Sequence, residues 1–180
     1  ARPTAGLFIR ERMFRVAAHI PLIVISPQAW FPGQSLIRLF RPGYRPSAPR
    51  HERQQGIDVY FPRFLALPGL LRGLDGWSMA ACSYFQVRRI KRRAPIGLID
   101  AHFAYPDGEA ATHLGRWLNL PVTITLRGTE VPHSRQPHLR PRLRRALTAA
   151  ARVFSVSDSL RQLALSLGAN ADKTEVIGNG

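Results

Sequence analysis

The sequence predicts an α/β fold, a Rossmann-like parallel sheet with helices on both faces. Short runs of β-branched and other apolar residues alternate along the chain with longer segments of helical periodicity, which is the pattern of βαβ units. The short runs are apolar throughout, as in strands that are covered on both faces. Of the 180 residues, 45% are hydrophobic, which is enough to build a core and argues against disorder.

The first 56 residues contain one helix, one strand and one long irregular segment in this prediction. Residues 5–16 place apolar side chains at helical spacing with arginine and glutamate between them, which indicates an amphipathic helix. Residues 22–25 (LIVI) form a β-branched run that Ser26 and Pro27 close, which indicates a buried strand. Residues 27–56 are rich in proline, glycine and arginine and show little periodicity, so we expect a long loop or insertion there.

From residue 57 onward, strands and helices alternate regularly in the prediction. The predicted strands are 57–61, 96–101, 122–126, 153–156 and 174–177. The predicted helices are 70–93, 108–118, 138–149 and 157–167. Ser157 is a candidate N-cap of the last helix, and Gly168 fits the position just beyond its end.

Ligands of such sheets bind beyond the carboxyl ends of the strands, so these positions hold the candidate site residues. They are Ser26, Arg63, residues 102–108, residues 127–130, Ser157 and Asn179, together with residues 3–6 before the first helix. A helix that opens with Thr4, Ala5 and Gly6 normally follows a central strand. We therefore expect that the first strand of the fold is missing from this sequence.

Charge and cysteine content exclude some classes of function. Lys and Arg number 26 against 11 Asp and Glu, a net charge of +15, which favours an acidic or phosphorylated partner. The single cysteine, Cys82, excludes an internal disulfide framework and a cysteine zinc site. The histidines show no metal-ligand spacing with carboxylates, so we predict no metal site. No apolar run approaches the roughly 18 residues of a membrane span.

Two basic clusters, residues 88–93 and residues 135–145, admit three interpretations. Nucleic-acid binding needs such cations, but the clusters lack interleaved stacking aromatic residues and any known reader motif, which disfavours it. A solvated surface is the simplest interpretation. The third is attraction to anionic lipid headgroups at a membrane surface.

The order of the motifs resembles the N-terminal domain of a family 4 glycosyltransferase, a retaining enzyme of the GT-B fold. The resemblance covers nearly the whole chain, and its specificity comes from the order and spacing of individually weak segments. These are residues 3–11 (PTAGLFIRE), 100–108 (DAHFAYPDG), 121–130 (PVTITLRGTE), 153–157 (VFSVS) and 176–180 (VIGNG). The sequence departs from the family in having Ala5-Gly6 where paired glycines often stand, and Glu130 where an aspartate often stands.

The resemblance implies that residues 1–180 form the acceptor-side half of a glycosyltransferase, whose C-terminal donor-binding domain is absent. Such an enzyme transfers a sugar from a nucleotide-sugar donor to a polysaccharide or lipid-linked acceptor and needs no further cofactor. We expect it in the cytoplasm, peripheral at the inner face of the membrane, and we expect these residues alone to be inactive. The alternative function is a non-catalytic basic module that binds an anionic membrane surface or nucleic acid.

His102 is the predicted catalytic residue, because the family carries a histidine at this strand end near the reacting sugar. A histidine there can hydrogen-bond a sugar hydroxyl or stabilise developing charge; the alternative is a structural histidine. His113, within a predicted helix, is interpreted as structural.

The predicted substrate-binding residues are Ala5, Gly6, Asp107, Arg127, Gly128, Glu130 and Ser157. Ala5 and Gly6 would let backbone N–H groups approach a diphosphate, or they form a simple tight turn. Asp107 would bind an acceptor hydroxyl or, as the favoured interpretation, cap the next helix. Arg127 and Gly128 would face a phosphate or an acidic acceptor, the alternative being a surface ion pair between Arg127 and Glu130. Ser157 is a helix cap first and a ligand donor second.

Overall fold

The computed structural model describes residues 13–41, 44, 49–66 and 72–178. The predicted first helix begins outside these residues, and residues 13–17 are helical. Ala5, Gly6 and Asn179 also lie outside them. The chain divides into two compact units, Ala1–Leu65 and Ala66–Gly180.

The second unit is built on a four-stranded parallel sheet, which confirms the predicted Rossmann-like α/β class. Its strands lie in chain order across the sheet: β6 (Ile99–His102), β7 (Val122–Leu126), β8 (Arg152–Ser155) and β9 (Thr174–Val176). Its helices are α2 (Asp75–Arg93), α3 (Glu109–Leu118), α4 (Glu130–Ser134), α5 (Arg140–Ala149) and α6 (Asp158–Ser166). Short 3₁₀ turns cover Arg72–Leu74 and Ala171–Lys173.

The core of this unit lies between β7 and the helices. Ile124 and Leu126 of β7 are fully buried, as are Leu143 and Ala146 of α5. A strand buried in this way selects the continuous apolar run seen in the sequence, because neither of its faces meets water. The parallel register pairs Ile124 with Val153 of β8 and places the carboxyl ends of the strands at one edge.

The first unit holds shorter elements. They are β1 (Ile23–Ile25), β2 (Gln28–Trp30), α1 (Gln34–Phe40), β3 (His51–Gln54), β4 (Ile57–Tyr60) and β5 (Arg63–Leu65). Strand β4 pairs in parallel with β1 and antiparallel with β3, and β2 pairs in parallel with β5.

The predicted loop over residues 27–56 is wrong, because β2, α1 and β3 lie within it. Strands β3 and β4 form a hairpin whose two turn residues, Gln55 and Gly56, both have positive φ (48° and 84°). This is the two-residue turn that matches the twist of paired strands, and Gly56 was its only sequence signal. Strand β3 is polar (HERQ) and half exposed, so no apolar alternation revealed it.

Elsewhere the differences are mainly at element ends. Strand β6 covers Ile99–His102 rather than 96–101, so the predicted catalytic histidine is the last strand residue rather than the first loop residue. Helix α4 was not predicted, since five residues are too few for a periodic pattern. Ser157 caps α6 as predicted, its hydroxyl accepting from the Leu160 N–H, and Gly168 follows the helix with a φ of +92°. None of the described helices has the length and hydrophobicity needed to span a bilayer.

Candidate functional site

His102 and Arg127 meet at the carboxyl edge of the sheet. His102 ends β6 and pairs in register with Thr125 of β7, and Arg127 follows the end of β7. The guanidinium Nε and Nη2 atoms each lie 3.3 Å from the imidazole Nδ1. Because a guanidinium only donates, Nδ1 must accept, and the imidazole carries its proton on Nε2.

Asp100 lies on the other side of the imidazole. Its Oδ2 is 3.7 Å from His102 Nε2, while its Oδ1 accepts a hydrogen bond of 2.6 Å from the Thr123 hydroxyl. Sequence analysis missed Asp100, although residues two apart on a strand share a face. Arg127 therefore bonds to one ring nitrogen of His102 while the Asp100 carboxylate faces the other, and the side chain of His102 keeps 16% of its surface exposed.

Glu130 lies in the interior and hydrogen-bonds to the two loops of the site, which follow β6 and β7. The residue is fully buried. Its Oε1 accepts from the backbone N–H of Ala104 at 2.9 Å, and its Oε2 accepts from those of Arg127 (3.2 Å) and Gly128 (2.9 Å). The alternative of a surface ion pair with Arg127 is wrong, because this carboxylate is buried and engaged by the backbone.

Both loops need unusual backbone conformations. Gly128 has a φ of +118°, which a glycine adopts without strain. Phe103 has a φ of 73° with a ψ of 142°, which is strained for a residue with a side chain. The Phe103 N–H donates to Thr125 O, and its carbonyl accepts from Gly108 N. The N–H of the next residue, Ala104, donates to Glu130. These bonds fix the loop that leaves His102.

Asp107 lies in the turn Ala104–Gly108 between β6 and α3, in which the backbone of Tyr105 is extended (φ −144°, ψ 135°). The predicted capping role is wrong, because Gly108 rather than Asp107 is the N-cap of α3. Burial raises the pKa of Asp107 from its usual 3.8 to about 6, and the negative charge of Glu130 adds to the rise. A carboxyl group desolvated in this way is typical of functional sites.

The raised pKa predicts a pH-dependent cost to stability at Asp107. Both states hold the proton below about pH 4; as the pH rises to about 6, the unfolded chain ionises first and the folded state loses stability. Asp107→Asn should therefore stabilise the protein by about 3 kcal/mol at neutral pH and by much less at pH ~4. Thermal unfolding of both proteins across this range measures the difference, and a gap that does not change with pH would contradict the shift.

The structure brings four predicted residues together directly: His102, Arg127, Gly128 and Glu130. Asp107 lies in the next turn, and Ser157 follows the end of the neighbouring strand β8, where its hydroxyl caps α6. His113 lies away from this edge in α3, where its ring stacks on Trp117. Within the described ranges, no group of three or more His, Cys, Asp or Glu side chains could hold a metal ion.

Comparison with known proteins gives two matches. The sequence model of Glycosyltransferase Family 4 matches residues 37–180. A Bacillus subtilis (strain 168) protein named "Putative teichuronic acid biosynthesis glycosyltransferase TuaC" is 29% identical over 172 residues, which cover 92% of this chain. The same alignment covers 43% of that relative, so the chain spans less than half of its length.

Proposed function

The chain belongs to glycosyltransferase family 4, and on that premise we propose that residues 1–180 are the acceptor-side domain of a retaining glycosyltransferase. The enzyme transfers a sugar from a nucleotide-sugar donor to a polysaccharide or lipid-linked acceptor. The donor is held mostly by a C-terminal domain outside this sequence. The main support is the polar cluster at the strand ends, where His102 lies between Asp100 and Arg127.

Transfer of a sugar from a nucleotide-sugar donor requires groups that stabilise negative charge. In a retaining transfer, the acceptor oxygen bonds to the anomeric carbon on the face from which the diphosphate leaves, and the acceptor proton passes to the departing phosphate oxygen. The guanidinium of Arg127 offers fixed positive charge, and His102, whose buried Nε2 faces Asp100, positions that guanidinium through Nδ1. Charge that develops in the transition state is stabilised best by groups already held in place, as the guanidinium is here.

Asp107, Gly128 and Ser157 complete the proposed acceptor side. Asp107 would accept a hydrogen bond from an acceptor hydroxyl, and Gly128 leaves room for close approach to the backbone. Ala5 and Gly6 remain proposed contacts to the diphosphate or a sugar hydroxyl. Glu130 contributes through the loops that it holds.

An acidic cell-envelope glycan is the acceptor class that we favour. The relative's name refers to teichuronic acid biosynthesis, and the net charge of +15 suits an anionic polymer or a lipid-linked precursor. The proposed location is the cytoplasm, peripheral at the inner face of the membrane.

A basic anion-binding module without catalysis is the second candidate. The observation that favours it is the excess of exposed cations on α2, where Arg88, Arg89, Arg92 and Arg93 are all exposed. In that case, the polar cluster at the strand ends would have no role in chemistry, and membrane or nucleic-acid binding would be the whole function.

The test is transfer by the whole protein, incubated with a panel of nucleotide sugars and a membrane extract as acceptor. We expect one donor to be consumed, with a product whose anomeric configuration by NMR matches that of the donor. Residues 1–180 alone should show no turnover. Inverted product would overturn the retaining mechanism, and no donor consumption with salt-dependent anion binding would favour the second candidate.

A further inference from the structure

Helices α2 and α3 present a surface that combines exposed aromatic rings with arginines. On α2, Trp77 and Phe85 are 52% and 75% exposed, and on α3 Trp117 is 36% exposed. We call this surface the aromatic–basic face; its members are Trp77, Ala81, Tyr84, Phe85, Arg88, Arg92, Arg116 and Trp117. The α2 members recur at spacings of three, four and one residues, so they share one stripe of the helix.

The rings are held in defined contacts. Tyr84 meets Trp117 edge to face with ring centroids 5.9 Å apart, and the guanidinium carbon of Arg88 lies 6.0 Å from the centre of the Tyr84 ring. One face of Trp117 is taken by the stacked ring of His113. Ala81, Tyr84 and Trp117 line an open groove of about 450 Å³. Exposed aromatic clusters of this kind mark interaction sites on soluble domains.

All exposed charges on these two fully described helices are positive. They are Arg88, Arg89, Lys91, Arg92, Arg93 and Arg116. The helices carry two acids: Asp75 is half-buried, and Glu109 is buried and accepts from Arg142 Nη1 at 3.0 Å. The occupant of this face must therefore be anionic.

We propose that the aromatic–basic face docks on an anionic lipid bilayer. Tryptophan, tyrosine and phenylalanine at the headgroup level give apolar contact, while arginines beside them bind lipid phosphates. Each basic residue near an anionic membrane adds attraction that salt weakens. The high exposure of Phe85 suits insertion of its ring among acyl chains rather than contact with a flat polar surface.

A nucleic acid suits this face less well. Bases need free, flat ring faces on which to stack. Arg88 lies over the ring of Tyr84, His113 covers one face of Trp117, and these two aromatic rings meet edge to face. The sequence clusters lacked interleaved aromatic residues, but the fold places Tyr84 and Trp117 beside Arg88, so competition with nucleic acid belongs in the test.

Only the start of this face lies near the candidate site. Trp77 lies in the first turn of α2, next to Gly76, and a Cβ at Gly76 would meet the side chain of Glu109. Glu109 begins α3 directly after the turn that carries Asp107. Arg88 and Arg92 lie toward the other end of the face, where Lys91 Nζ donates to Leu118 O at the end of α3. Binding of this face to the bilayer does not rest on the proposed function.

The test is co-sedimentation of the whole protein with vesicles. We expect binding to phosphatidylcholine–phosphatidylglycerol vesicles, weakened by salt, and little binding to phosphatidylcholine alone. The pairs Trp77→Ser/Phe85→Ser and Arg88→Gln/Arg92→Gln should each weaken binding about 10-fold or more. Phe85→Trp should retain it, and Arg140→Gln/Arg144→Gln, which removes equal charge from exposed positions on α5, should have a smaller effect.

Three outcomes would overturn the proposal. The first is equal binding to both kinds of vesicle. The second is that the α5 control pair loses as much vesicle binding as the Arg88 and Arg92 pair. The third is that single-stranded DNA releases the protein from vesicles and binds it more tightly, in a way that depends on Trp77 and Phe85. Vesicle binding is measured without turnover. If the wild-type protein fails to bind anionic vesicles but still transfers sugar to a soluble acceptor, the result counts against this face alone and not against the transferase.

Discussion

Replacing His102 with alanine is expected to reduce sugar transfer by the whole protein about 100- to 1,000-fold, the usual effect of removing one group that stabilises transition-state charge. The loss should fall mainly on kcat, because the imidazole acts on charge that is weak in the ground state. Steady-state kinetics with the preferred donor measures it. The side chain is 84% buried at the edge of the site, so circular dichroism and thermal unfolding must accompany the kinetics.

His102→Gln and His138→Ala make this prediction specific. The glutamine amide oxygen can accept from the Arg127 guanidinium in place of Nδ1, so His102→Gln should keep more activity than His102→Ala. His138 is an exposed histidine before α5, and its replacement should leave transfer unchanged. Equal activity of wild type and a folded His102→Ala protein would remove His102 from the chemistry.

Replacing Glu130 with alanine is expected to destabilise the protein by several kcal/mol and to abolish transfer. Three backbone N–H groups, from Ala104, Arg127 and Gly128, would lose their acceptor. Each buried donor left without a partner costs about 1–3 kcal/mol, and the whole stability of a domain is only about 5–15 kcal/mol. Thermal or denaturant unfolding measures the first effect, and donor consumption at a temperature where the variant is folded measures the second.

Glu130→Gln separates shape from charge at this position. The amide keeps the volume but turns a donor toward one of the backbone N–H groups, so we expect a smaller loss of stability than in Glu130→Ala and a clear loss of kcat. Glu130→Asp keeps the carboxylate and should recover part of both. If Glu130→Ala lost less than about 0.5 kcal/mol, as surface substitutions do, the buried carboxylate would not be what holds the loops.

Apolar runs and helical periodicity were sufficient to locate most of the second unit. Strand β7 and helix α3 appear within a residue of their predicted bounds, because each buries a continuous or periodic set of apolar side chains. Periodicity failed over residues 27–56, where strand β2 is only three residues long and strand β3 is polar. Their partners, β5 and β4, stabilise them by backbone pairing that leaves no mark in local composition.

The candidate site was also predictable from the sequence only in part. The rule that ligands meet the carboxyl ends of parallel strands located His102, Arg127 and Glu130 from the order of strands in the chain. It could not assign their contacts. Glu130 was predicted to face a ligand, and its burial against the Ala104 N–H, 26 residues away, gives it a structural contact instead.

The sequence by itself determined the α/β class, the family and the edge of the sheet that holds the candidate site, because these follow from local apolar patterns and the order of motifs. Only the tertiary structure decided that Arg127 holds the His102 ring, that Glu130 joins two loops, and that Trp117 of α3 lies against Tyr84 of α2. The physical reason is that each of these contacts joins residues far apart in the chain or on different helices, and strand register and helix packing bring them together.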